Sequence, residues 1–231
     1  MDAVDSNRLL NAENVFRSFE TTEGTLEVLK GVNLTIFQGE MTAVVGESGV
    51  GKSTLLHILG GLDRPNSGNI AINGFQLKDW SESELATFRN KNVGFVFQYH
   101  YLLEDFTALE NVMMPSLIAG NSPKRSAELA EHLLSEVGLA NRLKHKPRQL
   151  SGGEQQRAAV ARALVNNPRV VIADEPSGNL DIKTGEKLHR LLCSLNETMK
   201  MTFLIATHNA DLAKSCRRIV KLVDGLVSEA A

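Results

Sequence analysis

The sequence predicts an α/β protein built on a mostly parallel sheet, with a helical segment inserted in its middle. Three observations point there. Strand-like and helix-like runs alternate near both ends of the chain, the pattern of a parallel sheet covered by helices. One strand, Met41 to Val45, runs directly into a glycine-rich loop and then a helix. The stretch from about Gln98 to Gln156 carries helix signals only.

The elements follow in order. Leu26 to Phe37 alternates through Leu26, Val28, Val32, Leu34 and Ile36, with a turn expected at Lys30-Gly31. Lys52 to Leu59 is helical and stops at Gly60-Gly61, and Ile70 to Ile72 followed by Asn73-Gly74 predicts a hairpin. Ser81 with Glu84, and Thr107 with Glu110, have capping-box spacing. Ser122-Pro123 opens a further helix that Gly138 closes. Ser151 with Glu154 repeats the capping box before a helix to about Val165. Val170 to Ala173 and Thr202 to Ala206 are strands flanking a helix, Lys183 to Thr198. Ile219 to Val223, turning at Asp224-Gly225, forms a last hairpin.

The chain's 231 residues suffice for a substantial core and one domain. Hydrophobic residues make up 42% and charged ones 23%, ordinary for a globular protein. A net charge of −2 gives no support for nucleic-acid binding. Cys193 and Cys216 lack metal-ligand spacing and read as reduced thiols of a cytosolic protein. Met1 to Asn7 is polar, without the apolar core of a signal peptide, and no run approaches the ~18 apolar residues of a membrane span. Any membrane role is therefore expected to come through a partner.

The chemistry concentrates in three places. Gly46-Glu47-Ser48-Gly49-Val50-Gly51-Lys52-Ser53-Thr54 follows a strand and opens a helix, the context a phosphate loop requires. Its glycines let backbone N–H groups curl around a phosphate, and the helix N-terminus adds partial positive charge. Lys52 would reach the β- and γ-phosphates of ATP and Ser53 would bind Mg2+. Second, the apolar strand from Val170 ends in Asp174-Glu175, at the sheet edge where ligands of such sheets bind. Asp174 would contact the Mg2+ shell, and Glu175 would orient or deprotonate the attacking water. Third, Leu150-Ser151-Gly152-Gly153-Glu154-Gln155-Gln156 is a helix start softened by two glycines, which cost helix stability. They make sense if another molecule approaches the backbone closely. A γ-phosphate docked there would meet Ser151 and the Gly153 N–H. Two phosphate-binding stretches on one chain suggest two chains, each capping the other's nucleotide.

On these motifs the chain resembles the ATP-binding-cassette (ABC) ATPases over essentially its whole length. The resemblance implies a P-loop NTPase (RecA-like) core with an N-terminal antiparallel β-subdomain and an inserted α-helical subdomain. Residues 1–231 would form one domain, with the core at about 1–97 and 157–231 and the helical subdomain at about 98–156. It implies ATP and Mg2+ as ligands and ATP hydrolysis as the activity. Gly46 to Thr54 matches the Walker A loop, Val170 to Asp174 the Walker B strand, and Leu150 to Gln156 the family signature. Gln98 would contact Mg2+ and the membrane partner. Gly178 to Asp181 resembles the loop that crosses the dimer interface. His208 would sense the γ-phosphate and Phe19 would stack on adenine. Ser177, Asn209 and Phe19 stand where Thr, Asp and Tyr are commoner.

Phe97 to Pro115 and Leu56 to Asp63 are similar to the ATPase subunits of lipoprotein-releasing systems, which implies release of lipoproteins from the inner membrane toward the outer membrane. ATPases of efflux (macrolide-exporter-like) or cell-division complexes remain the alternative. A soluble P-loop kinase would have no use for Ser151-Gly152-Gly153. The resemblance implies a homodimer held to integral permease subunits at the cytoplasmic face of the inner membrane. Leu102, Leu103, Phe106, Met113 and Met114 exceed what a small subdomain needs, so a permease helix is expected to dock near Tyr99 to Met114.

Overall fold

The computed structural model describes residues 7–22 and 24–229. The polar stretch expected to lack a signal core lies, apart from Asn7, outside the described residues. Among these, ten strands form two sheets. Strands β1 (Arg8–Thr21), β2 (Gly24–Phe37), β4 (Ser67–Ile72) and β5 (Phe75–Gln76) make an antiparallel sheet in the order β2-β1-β4-β5. Strands β3 (Met41–Val45), β6 (Val93–Val96), β7 (Val170–Asp174), β8 (Thr202–Ala206), β9 (Arg218–Val223) and β10 (Leu226–Glu229) make a second sheet in the order β10-β9-β3-β8-β7-β6. All its pairs are parallel except the β9–β10 hairpin.

The helices are α1 (Lys52–Leu59), α2 (Glu82–Asn92), α3 (Ala108–Ile118), α4 (Pro123–Glu136), α5 (Gly152–Leu164), α6 (Ile182–Met199) and α7 (Ala210–Ser215). The capping boxes at Ser81, Thr107 and Ser151 are all formed.

The parallel strands are buried on both faces, which is why they read as unbroken apolar runs. Their period-2 alternation splits the side chains between two cores. Val171, Ala173, Phe203 and Ile205 join a core with α3 to α7, whereas Val170, Ile172, Leu204 and Ala206 join another with α1, α2 and the antiparallel sheet. The larger sheet is thus the middle layer. Because β3, β6, β7 and β8 run in one direction, the segments that follow them emerge along a single edge. Those segments begin with Gly46, Phe97, Glu175 and Thr207.

Three sequence expectations need correction. No turn interrupts β2 at Lys30-Gly31: the strand continues to Phe37, with a register shift where Val15 pairs Val32 and Phe16 pairs Lys30. Gly31 has φ +97°, and a Cβ there would lie 3.0 Å from Phe16 Cζ, so the glycine serves a bulge under the Phe16 ring. The stretch from about Gln98 is not helical throughout, because a loop precedes α3. Leu102 is not surplus, because it is buried in the core, and Met113 packs against that same core.

Candidate nucleotide site

The phosphate loop is shaped by its neighbours before any ligand is considered. A Cβ on Gly46 would lie 2.6 Å from the Leu222 carbonyl oxygen of β9, and one on Gly51 would lie 2.4 Å from Val28 Cγ1 of β2. Gly51, at φ 104°, is the N-cap of α1 and offers no side chain to its free N–H groups. Every other α-helix among the described residues has a side-chain cap, from Ser81, Thr107, Ser122, Ser151, Asp181 or Asn209. The first turn of α1 carries no acidic residue either. An external anion is the natural partner for such an end.

That end opens on a cavity of about 400 Å³ lined by Ser48, Gly49, Gly51, Lys52, Ser53, Thr54, Gln98, Asp174, Glu175 and His208. Lys52 is 8% exposed, and its Nζ donates to the carbonyls of Gly46 at 3.0 Å and Glu47 at 2.9 Å. Gly46, Glu47 and Val50 are the loop residues that do not line the cavity, and Val50 packs against the core.

Asp174 Oδ1 is buried without a hydrogen-bond partner. It shares the cavity with the Ser53 hydroxyl and the Gln98 amide. One carboxylate with two neutral oxygen donors suits Mg2+, which takes oxygen ligands and keeps part of its shell from water and phosphate. No cluster of three or more His, Cys, Asp or Glu that could hold a metal occurs among the described residues.

Glu175 sits at φ 46°, a left-handed conformation that is costly for a residue with a side chain. Its Oε1 lies 2.9 Å from His208 Nδ1, and its Oε2 accepts from the His208 backbone N–H at 3.3 Å.

Other predicted residues lie outside the cavity lining. Ser151 caps α5 and exchanges hydrogen bonds with Glu154, whose carboxyl is lowered to about 2, chiefly by the Ser151 N–H and then by Arg142 at 3.0 Å. Asp181 caps α6 through the Thr184 N–H at 3.1 Å, and its carboxyl is held below the usual range by the Thr184 side chain first and then by that N–H. Phe19 is 37% exposed on β1 with the Arg17 guanidinium 4.5 Å above its ring.

The two signature glycines separate. A Cβ on Gly153 would strike Thr184 Cγ2 at 2.3 Å, whereas one on Gly152 would meet only Leu180 Cδ2 at 3.7 Å. Gly153 is therefore required by the packing of α5 on α6, which corrects the expectation that both glycines serve an approaching molecule. That explanation is left to Gly152.

The ABC transporter family profile matches residues 29–178. The chain belongs to the ABC transporter family. It is 52% identical over 219 residues to the lipoprotein-releasing system ATP-binding protein LolD of Geobacter metallireducens, covering 95% of this chain and 97% of that protein. It is 51% identical over 221 residues to LolD of Bacteroides thetaiotaomicron, covering 96% and 100%. Among solved structures it is similar to the dimeric, post-hydrolysis ATP-binding cassette MJ0796 bound to ADP and Pi. There the TM-score is 0.88 and the identity 39%, over 96% of this chain and 98% of that one. A second dimeric structure of MJ0796, a bacterial ABC transporter cassette, matches with a TM-score of 0.88 and 41% identity, over 96% and 97%.

Sequence reasoning misses several residues that position this ABC cassette's site. Gln156, 2% exposed, donates to the Phe97 carbonyl at 2.8 Å, and Arg162 donates to those of His100 at 2.8 Å and Tyr101 at 2.6 Å. Helix α5 thereby holds the loop on both sides of Gln98. Asn179 exchanges hydrogen bonds with Gln98, and His189 bonds Ser177 at 2.8 Å. These are contacts across long chain separations, and no local pattern announces them.

Proposed function

We propose that the chain is the ATP-hydrolysing subunit of a transporter complex that powers release of lipoproteins from the inner membrane toward the outer membrane. The cavity carries this reading: an uncapped helix end, Lys52, the unpartnered Asp174 oxygen and the Glu175–His208 pair face one space. The cargo rests on the similarity to LolD proteins over nearly their full length.

The free N–H groups of α1 and the loop receive the triphosphate, with Lys52 against its β- and γ-phosphates. Ser53, Asp174 and Gln98 would hold Mg2+, which would supply positive charge against the phosphates. Glu175 accepts a proton from water as the water oxygen bonds to the γ-phosphorus. The bond from that phosphorus to the β–γ bridging oxygen breaks, and ADP and phosphate leave. His208 holds the carboxylate in place for that transfer. Phe19 lies on the adenine side.

A second copy of the chain completes the site, presenting Ser151, Gly152 and the Gly153 N–H to the γ-phosphate, with Asp181 near the crossing. The dimeric cassettes of similar structure support this arrangement. Residues 98–156 act as the helical subdomain and residues 1–97 and 157–231 as the core. Permease subunits dock near Tyr99 to Met114. There Leu103 and Phe106 are exposed, beside a groove of about 640 Å³ lined in part by Phe97, Tyr101, Pro115 and Ile118. Among the described residues no helix is long and apolar enough to cross a membrane. The proposed place is peripheral, at the cytoplasmic face of the inner membrane.

Glu175→Gln tests the chemistry. The variant should bind ATP as the parent does, lose about 10²- to 10⁴-fold in turnover, and accumulate as a dimer with ATP in size-exclusion chromatography. Near-normal hydrolysis would remove Glu175 as the base. Purification in detergent, with identification of the membrane proteins retained, tests the complex.

A further inference from the structure

We propose that Asn179 is a positioning residue that turns the Gln98 amide so that its oxygen, not its NH2 group, is offered to the cation. This rests on the reading of the cavity as a Mg2+–ATP site.

The Gln98 backbone carbonyl can only accept, so the Asn179 atom 3.1 Å from it must be Nδ2. That fixes the Asn179 amide and leaves Oδ1 as its other end. Oδ1 can only accept, so the Gln98 atom 3.0 Å from it must be Nε2. The orientation of both amides thus follows from one main-chain oxygen. Oε1 is the end of Gln98 that Asn179 leaves free, and Gln98 lines the cavity with Ser53 and Asp174.

An amide rotated half a turn would turn two N–H donors toward a divalent cation, which repels them. Gly178 leaves the space this side chain occupies, since a Cβ there would lie 3.0 Å from Gln98 Nε2. Asn179 therefore holds the side chain that the bare backbone of Gly178 admits. Both residues belong to the short loop between Glu175 and the Asp181 cap of α6, so a displacement of this loop by a second chain is transmitted to the cation ligand.

The test measures Mn2+ binding through its electron paramagnetic resonance signal. It uses the full chain with a non-hydrolysable ATP analogue, alongside binding of the analogue without metal. Asn179→Ala should weaken Mn2+ binding about tenfold, the scale of losses when a metal ligand's supporting partner is removed. Metal-free nucleotide binding should be unchanged. Gln98→Ala should lose as much, and the double variant should bind no more weakly than Gln98→Ala alone. Gly178→Ala, which perturbs Gln98 without touching the Asn179 side chain, should shift binding in the same direction and carries the test if Asn179→Ala does not fold. Parent-like Mn2+ binding in Asn179→Ala, or additive losses in the double variant, would overturn the inference. A parent chain that binds the analogue but no Mn2+ would instead overturn the reading of the cavity, and this inference with it.

Discussion

Replacing Gly153 by Ala should destabilise the folded chain, and Thr184→Ser should restore it. The added Cβ falls 2.3 Å from Thr184 Cγ2, where carbon atoms prefer roughly 3.5–4.0 Å. One helix must therefore yield by more than about an ångström, an overpacking cost of about 1–3 kcal/mol. Ala for Gly in a helix returns up to about 1 kcal/mol. With that gain the net loss is up to about 2 kcal/mol, which in a chain of this size lowers Tm by up to roughly 8 °C. Thr184→Ser removes the colliding methyl and leaves the backbone N–H that Asp181 caps at 3.1 Å. Thermal and urea unfolding followed by far-ultraviolet circular dichroism would read both effects. Gly152→Ala is the contrast: its nearest contact is an ordinary 3.7 Å, so stability should stay within about 0.5 kcal/mol while ATP-dependent dimerisation is lost. A Gly153→Ala chain as stable as the parent, or a double variant no better than the single, would refute the packing argument.

Glu154 predicts a pH effect. Its carboxyl is lowered from 4.5 to about 2 in the folded chain, so its contribution is present above its unfolded value and fades as the pH falls toward 2. Glu154→Gln should flatten the loss of stability on acidification below about pH 4.5, read from urea midpoints across that range. Leu103→Asp and Phe106→Asp replace exposed side chains and should leave the melting temperature close to the parent's. They should abolish permease-stimulated ATP hydrolysis in reconstituted complexes, and intact stimulation would move the docking surface elsewhere.

The phosphate loop and its helix were legible in the sequence because strand, glycines and helix are consecutive. So was the buried strand before Asp174-Glu175, and so were the capping boxes. Strand β1 was harder to define, because its register shifts between Ala12 and Val15 and again by Phe16 break the period-2 pattern. Strand β6 is short and carries Gly94, whose missing Cβ would lie 2.4 Å from the Ala163 carbonyl oxygen of α5. That glycine marks a close strand–helix approach, yet in sequence it looks like a breaker. Glu175 and His208 were each identifiable, but not that one holds the other across 33 positions. The Gln98–Asn179 exchange spans 81 positions and depends on the topology that sets β6 beside β7.

The strand order has a consequence for biosynthesis. Strand β3, which delivers the phosphate loop, is made early, but its two neighbours in the sheet, β8 and β9, come near the end of the chain. The Leu222 carbonyl that backs Gly46 arrives with them. A nascent chain on the ribosome holds this loop without its scaffold until β8 and β9 have emerged, so nucleotide capture is deferred to that point.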